Sequence, residues 1–67
     1  MNIGENIREI REKRGISQKQ LAKEVQVSQA MICQLERGSK TPNLLLSCEL
    51  AKALGCEVKD FLYGFDK

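Results

Sequence analysis

The chain contains no histidine and no tryptophan, and its 67 residues include only one proline, two phenylalanines and one tyrosine. With no histidine, no clustered carboxylates and no glycine-rich phosphate loop, the sequence offers neither an activated nucleophile nor a general base, which argues against an enzyme. It lacks any apolar stretch near the roughly 20 residues of a membrane span. Residues 1–15 are charged and periodic, unlike a signal peptide. We therefore expect a cytoplasmic protein with no membrane contact.

The cysteines are few and are not spaced as metal ligands. Cys33, Cys48 and Cys56 form no CxxC pair, and a structural zinc site needs about four cysteine or histidine ligands. Cys48 and Cys56 are interpreted as reduced thiols that serve as small apolar residues. A redox role stays open for Cys33, which lies on an outward helix face. We expect no metal, no cofactor and no small-molecule ligand.

Residues 17–38 predict two short helices joined by a tight turn. Ser17 and Ser28 lie eleven residues apart, and each can cap the helix that follows; Gln20 supplies the reciprocal partner of a capping box at Ser17. Only Gln26 and Val27 stand between the first helix and the second cap. The helices therefore cross steeply and pack through apolar stripes, which indicates a helix-turn-helix. The stripes are Leu21, Ala22 and Val25, then Ile32 and Leu35.

The second helix of this motif has an outward face with little charge. At about 100° per residue, that face carries Gln29, Ala30, Cys33, Gln34 and Arg37. A helix that needed only solubility would more usually present Glu and Lys there. Glutamine amides can pair with a base edge in the major groove, and alanine can contact a thymine methyl group. The face is a candidate DNA-reading surface, and the alternative is a solvated face that happens to be rich in glutamine.

Positive charge lies near the motif although the net charge is only +2. Residues 1–40 hold eight Lys and Arg against five Glu, whereas residues 41–67 hold three Lys against four acidic residues. The flanking cations are expected to meet DNA phosphates, although any one lysine fits an ordinary solvated charge better. They are Lys19, Lys23, Arg37 and Lys40. Gln18 is a stronger phosphate candidate, because free backbone N–H groups accompany its side chain at a helix N-terminus.

The rest of the chain reads as support for the motif. A first helix is predicted from Ile3 to Arg14 and a fifth from Val58 to Tyr63. The fourth is capped either by Asn43 or by Thr41 with Pro42 at its first position. The fold class is therefore all-α, with five helices in a single domain over residues 1–67 and the motif formed by helices 2 and 3.

GISQKQLAKEVQVSQAMICQLERG, followed by TPN and LAKALGCEVKDFL, resembles the Cro/C1-type helix-turn-helix domain of phage and bacterial repressors, the XRE family. The resemblance covers about residues 7–62 and implies a compact, lambda-repressor-like fold encoded by a bacterium or a phage. It implies that Gln18 holds a DNA phosphate and that Arg11 pairs with Glu36. The base-reading positions that it implies are Gln29, Ala30, Cys33 and Gln34.

The chain departs from the family pattern in the turn and in helix 4. Gln26 stands where the family usually has glycine, so the turn is expected to be either slightly different or strained by about 1 kcal/mol if φ stays positive. Ser47 and Cys48 stand where the resemblance implies large apolar residues. The core is expected to be thinner there.

Apolar residues in helix 4 and at the C-terminus predict a partner surface. Leu45 and Leu46 replace residues that are usually polar in the family, and Tyr63 and Phe65 follow near the end of the chain. A homodimer would bury them and present two recognition helices to a palindromic site. Alternatively, Leu45 or Leu46 covers helix 1 within one subunit.

The function expected from these features is sequence-specific binding of double-stranded DNA by a homodimeric transcriptional regulator. We expect a repressor that acts by occupying a palindromic operator, with helix 3 in the major groove, since the sequence shows no second domain. The alternative is an antitoxin-like protein-interaction module in which DNA binding is secondary.

Overall fold

A computed structural model of the protein describes residues 2–63, with side chains as far as Phe61. The described residues form helices and no strand, which confirms the all-α class. The helices are α1 (Ile3–Lys13), α2 (Gln18–Val25), α3 (Gln29–Arg37), α4 (Leu44–Leu54) and α5 (Val58–Tyr63). Helix α2 packs against α3 and α4, and helix α1 packs against α3 and α5.

Side-chain caps fix where α1 to α4 begin. The Ser17 hydroxyl accepts a hydrogen bond from the Gln20 backbone N–H at 3.0 Å, and the Ser28 hydroxyl accepts one from Met31 at 3.1 Å. Asn2 and Asn43 cap α1 and α4 through their side-chain oxygens. The alternative cap at Thr41 is therefore not used. Each cap satisfies one backbone N–H that the helix itself leaves without a partner.

The apolar stripes of the five helices meet in one core. Ser47 is buried at the edge of this core, as expected, but Cys48 is exposed, so the prediction of a thinner core is wrong for Cys48. Cys56 is half-buried against the core. The buried apolar residues are Ile7, Ile10, Leu21, Ala22, Val25, Ile32, Leu35, Leu50, Ala51, Leu54 and Phe61.

The turn between α2 and α3 keeps the left-handed backbone that the family pattern reserves for glycine. Gln26 has φ 61° and ψ 44°, and it is the one non-glycine residue with positive φ among residues 2–63. Its N–H donates to the Lys23 carbonyl, and the N–H of Val27 donates to the Ala22 carbonyl at 3.0 Å. The shape of the turn is thus retained, and the strain that glycine would relieve falls on Gln26.

We expect Gln26→Gly to stabilise the protein by up to about 1 kcal/mol, because glycine adopts this conformation without a Cβ clash. Part of the gain is offset by the greater backbone entropy of glycine in the unfolded chain. Urea unfolding of the variant measures the difference. Gln20→Gly, in the first turn of α2, is the control and should lose up to about 1 kcal/mol. A Gln26→Gly variant no more stable than its parent would mean that any strain at Gln26 is no larger than the entropic cost of glycine.

Candidate nucleic-acid interface

Helix α3 divides into a buried face and an outward face. Ile32, Leu35 and Glu36 are buried. On the opposite side, Gln29, Ala30 and Arg37 are exposed, and Cys33 and Gln34 are half-buried. The five positions expected to face outward therefore share one surface. Four of them carry uncharged groups, namely two amides, a methyl group and a thiol, and Arg37 is the one charged residue among them.

The α2–α3 pair holds this outward face at a fixed angle. The left-handed residue Gln26 ends α2 two residues before the Ser28 cap of α3. Val27 is half-buried and packs against the core, which ties the turn to the body of the protein. A short second helix that packs across the first and leaves one face free is the arrangement that places a recognition helix in the major groove.

An ion pair lies beneath this surface, between α1 and α3. Arg11 Nε donates to Glu36 Oε2 at 2.6 Å and Arg11 Nη2 donates to Glu36 Oε1 at 3.2 Å. Both residues are buried, with Arg11 8% and Glu36 5% exposed. The parallel pair of bonds is the two-pronged geometry that suits a guanidinium and a carboxylate.

The same guanidinium also reaches the chain that leads into α2. Arg11 Nη1 donates to the Ile16 carbonyl at 2.7 Å, immediately before the Ser17 cap. The pKa of Arg11 is raised, first because of its hydrogen bond to Glu36, which outweighs the opposing effect of burial. Arg11 therefore stays charged, and one side chain connects α1, the start of α2 and the end of α3.

Gln18 joins this network from the first position of α2. Its Nε2 donates to Glu36 Oε1 at 2.9 Å, so Glu36 accepts from both Arg11 and Gln18. Gln18 is half-buried and lines an open cleft together with Cys33 and Arg37. The proposed phosphate residue and part of the outward face of α3 thus border the same cleft.

Exposed cations stand on two sides of the outward face. Lys19 follows Gln18 on α2, Arg37 ends α3, and Lys40 lies in the loop before α4; all three are exposed. The loop is fastened to α3, because the backbone N–H groups of Ser39 and Lys40 donate to the Gln34 carbonyl at 2.9 and 3.3 Å. Lys40 is therefore held by backbone hydrogen bonds close to the end of α3.

A separate apolar patch lies at the start of α4. Leu44 is 77% exposed and Leu45 69% exposed. Leu46 is instead half-buried against the core, so it offers less surface to a partner than its sequence position indicated. Tyr63 and Phe65, the other dimer candidates, lie outside the described side chains. Leu44 was not among the residues expected to face a partner, and the run of three leucines at residues 44–46 is the sequence feature that could have pointed to it.

The cysteines and acidic residues give no sign of a metal centre. No group of three or more His, Cys, Asp or Glu side chains in the described part of the chain is placed to hold a metal ion. Cys33, Cys48 and Cys56 are free thiols. None of the described helices is long and apolar enough to cross a membrane.

The fold and this surface define a helix-turn-helix protein of the DNA-binding class. The sequence profile of the helix-turn-helix family matches residues 7–61. The chain belongs to this family, in its Cro/C1 (XRE) type, whose members are transcriptional regulators and not enzymes.

Solved structures of the P22 c2 repressor show the same fold. The chain is 41% identical to the solution structure of its DNA-binding domain, with a TM-score of 0.91 over 96% of this chain and 84% of that one. It is 40% identical to the c2 repressor crystallised with a synthetic operator, with a TM-score of 0.88 over 97% of this chain and 98% of that one. The prediction of a lambda-repressor-like fold is confirmed.

Curated relatives are also transcriptional regulators. An HTH-type transcriptional regulator of Methanothermobacter thermautotrophicus is 38% identical over 91% of this chain and 88% of its own length. The regulator DdrOP3 of Deinococcus deserti is 36% identical over 98% of this chain, which spans 51% of that protein. The chain therefore spans about half the length of DdrOP3.

Proposed function

We propose that this protein is a transcriptional repressor that binds a palindromic DNA operator as a homodimer, with α3 in the major groove. The observation that carries the proposal is the outward face of α3, where amides and small side chains are flanked by exposed cations on α2 and in the loop before α4. Such a face suits base edges at its centre and phosphates at its borders. The P22 c2 repressor, of the same fold, has been crystallised with an operator.

Base reading is assigned to the four uncharged residues of that face. Gln29 and Gln34 each carry an amide that can donate and accept at one base edge, the pairing that suits adenine. Ala30 and Cys33 are small enough to let the helix approach and to meet a thymine methyl group. A groove site that includes A·T pairs is the expected preference.

Phosphate contacts are assigned to Gln18, Lys19, Arg37 and Lys40. The three cations are exposed, so they can reach the backbone on either side of the groove without first breaking a buried contact. Gln18 contributes an N–H but no charge. Loss of one cation should lower the salt dependence of binding by about one unit, whereas loss of Gln18 should leave it nearly unchanged.

The homodimer rests on the exposed leucines of α4. Leu44 and Leu45 are the large apolar side chains most open to solvent among those described. Pairing them with a second copy removes them from water, and a twofold axis then presents two recognition helices to one palindrome. Leu46, Tyr63 and Phe65 are proposed to border the same seam. The dimer is proposed to act on DNA in the cytoplasm.

The experiment for this assembly is sedimentation at micromolar concentration together with footprinting on a selected operator. A dimer that protects two half-sites about 10–11 base pairs apart is expected. Leu45→Glu should give a folded monomer with much weaker DNA binding, because the avidity of two linked contacts is lost. Lys52→Gln, which makes the same charge change on α4, should stay dimeric. A Leu45→Glu variant that remains dimeric or binds as well as the parent would contradict the proposal.

For base reading, we expect Gln29→Ala to weaken binding to the selected operator by about 1–3 kcal/mol and to leave binding to random duplex almost unchanged. Titration of both DNAs at one salt concentration measures the difference. Gln20→Ala, on the exposed surface of α2, is the matched glutamine control and should change neither affinity. Equal losses on the two DNAs would indicate that Gln29 contacts a phosphate and not a base.

The exposed leucines also favour a second candidate, an antitoxin-like module whose apolar patch binds a different protein. The two candidates differ in their behaviour as isolated chains. A monomer indifferent to DNA would support the protein-interaction module.

A further inference from the structure

We infer that Glu36 is a positioning residue for DNA binding, because it holds the Gln18 amide in the orientation that reaches a phosphate. The inference rests on the proposed DNA-binding function and on one feature of this structure. Oxygen Oε1 of the buried Glu36 carboxylate accepts hydrogen bonds from two different elements, Arg11 of α1 and Gln18 of α2.

The geometry of the Gln18 amide leaves one of its N–H bonds for a phosphate. Its NH2 group carries two N–H bonds in one plane, and one of them points at Glu36 Oε1, 2.9 Å from Nε2. The second N–H is thereby directed away from the buried carboxylate. Since Gln18 borders the open cleft that Cys33 and Arg37 also line, we assign the second N–H to a phosphate oxygen at the mouth of that cleft.

The hydrogen bond to Glu36 also lowers the entropic cost of ordering the Gln18 side chain on DNA binding. An unheld glutamine samples several rotamers, and freezing them on binding costs part of the free energy that the contact gains. The Glu36 oxygen selects the rotamer before DNA arrives. The contact then gains affinity through its pre-arranged geometry, in the way that preorganised groups do elsewhere.

The negative charge of Glu36 has to be compensated if it stands near a DNA phosphate. A lone carboxylate close to a DNA phosphate would repel it. Here Arg11 donates two hydrogen bonds to Glu36 and compensates its negative charge. Arg11 thus allows an acidic residue to stand behind the Gln18 contact, and the ion pair serves recognition as well as stability.

The test needs variants that remove the acceptor without leaving a buried charge. Arg11→Met combined with Glu36→Leu replaces the pair by apolar side chains, a change that is often neutral for stability. Arg11→Met combined with Glu36→Gln is the matched control, because an amide oxygen remains at position 36. Both lose the Arg11 bond to Ile16, so this loss cancels between them. Thermal unfolding of each variant shows that it is folded at the assay temperature.

The probe is a random-sequence duplex of 30 base pairs at low salt, since a phosphate contact acts on every sequence. We expect Gln18→Ala to bind about tenfold more weakly than the parent, as for one hydrogen bond to a charged group. The Leu-containing double variant should lose about fivefold, and adding Gln18→Ala to it should cost less than about twofold more. The Gln-containing double variant should lose less than about twofold. Gln20→Ala should bind as the parent does.

A second readout separates positioning from general stability. In the free protein, the side-chain 15N heteronuclear NOE of Gln18 should match that of the backbone, and it should fall in the Leu-containing variant but not in the Gln-containing one. The Gln20 amide should be mobile in all of them.

Three outcomes would overturn the inference. A parent that binds no duplex at all removes the proposed function together with it. If the parent protein binds the duplex and Gln18→Ala binds it equally tightly, the proposed function is retained but Gln18 does not contribute to binding. Equal losses in the Leu-containing and Gln-containing variants, or a full tenfold loss on adding Gln18→Ala to the former, would show that Glu36 does not act through Gln18.

Discussion

Replacing Gly4 by alanine is expected to destabilise the protein by about 3 kcal/mol, although alanine is the better helix former. Gly4 lies in the first turn of α1, where that helix crosses the end of α3. A Cβ built on Gly4 falls 2.2 Å from the Leu35 carbonyl oxygen and 2.7 Å from the Glu36 carbonyl oxygen. Both contacts are with backbone atoms, so no side chain can rotate away and the two helices would have to separate.

The sign of the effect decides this prediction. At an unobstructed helical position, exchanging glycine for alanine stabilises by up to about 1 kcal/mol. Glu5→Ala, at the exposed neighbouring position, controls for changes at the start of α1. Urea unfolding that shows Gly4→Ala to be as stable as the parent, or more stable, would contradict a close approach of α1 and α3. The clash also lies next to Glu36, so the variant should weaken duplex binding at temperatures where it remains folded.

Gly4 illustrates what the sequence does not reveal locally. Glycine near a helix start predicts nothing by itself, and the requirement comes from a backbone more than thirty residues further along the chain. By contrast, Ser17, Ser28 and the spacing between them predicted the two helices of the motif well, because a capping bond joins residues only three apart. Local hydrogen bonding is readable in a sequence, and long-range steric fit is not.

The candidate site shows the same contrast between local features and long-range contacts. The outward face of α3 follows from helical periodicity, and the structure places Gln29, Ala30, Cys33, Gln34 and Arg37 on that face as expected. Periodicity did not predict the hydrogen bond from Gln18 to Glu36, since it depends on how α2 sits against the end of α3. The proposed DNA contacts at these residues remain predictions.

In helix α4, the sequence did not show which of the neighbouring leucines is buried. Residues 44–46 are three consecutive leucines, so apolar character alone cannot say which of them points inward. The α4 core residues Leu50, Ala51 and Leu54 set the buried side of the helix, and Leu46 packs against the core. Leu45 faces away from that side, whereas Leu44 lies seven residues, about two turns, before Ala51 and is still exposed. Helical phase therefore accounts for the exposure of Leu45 but not for that of Leu44, which is the first residue of α4.

The charge of Arg11 does not change over the usual pH range. The folded pKa of Arg11 is raised, chiefly by its hydrogen bond to Glu36. A raised folded pKa on a cation gives stability that is fully present below the unfolded pKa and is lost only as pH rises through the folded pKa. For an arginine both values lie far above neutral pH. Arg11 therefore contributes uniformly in ordinary buffers, and mutation rather than titration has to reveal its effect.

Removing one member of the Arg11 and Glu36 pair is expected to cost about 3–5 kcal/mol, because the remaining charge is left buried without its partner. The side chains are 10% and 3% exposed, so water solvates neither charge well. Arg11→Met strands the Glu36 carboxylate, and Glu36→Gln leaves the guanidinium with only the exposed Glu12 carboxylate, whose Oε2 lies 3.9 Å from Arg11 Nη2. Thermal and urea unfolding should both show the loss, and either variant is expected to be only marginally folded at room temperature, since small domains have roughly 5–15 kcal/mol in all.

A second arginine and glutamate pair in the same helix supplies the control. Arg8 Nε lies 3.2 Å from Glu12 Oε2, but these side chains are 62% and 55% exposed. Arg8→Met should therefore cost less than about 1 kcal/mol, as for surface ion pairs in general. If the losses come from a stranded charge, combining Arg11→Met with Glu36→Leu should recover most of the stability that each single change removes. Losses in the double variant equal to the sum of the single ones would mean instead that the pair acts through packing, and an Arg11→Met loss as small as that of Arg8→Met would mean that water reaches Glu36 in solution.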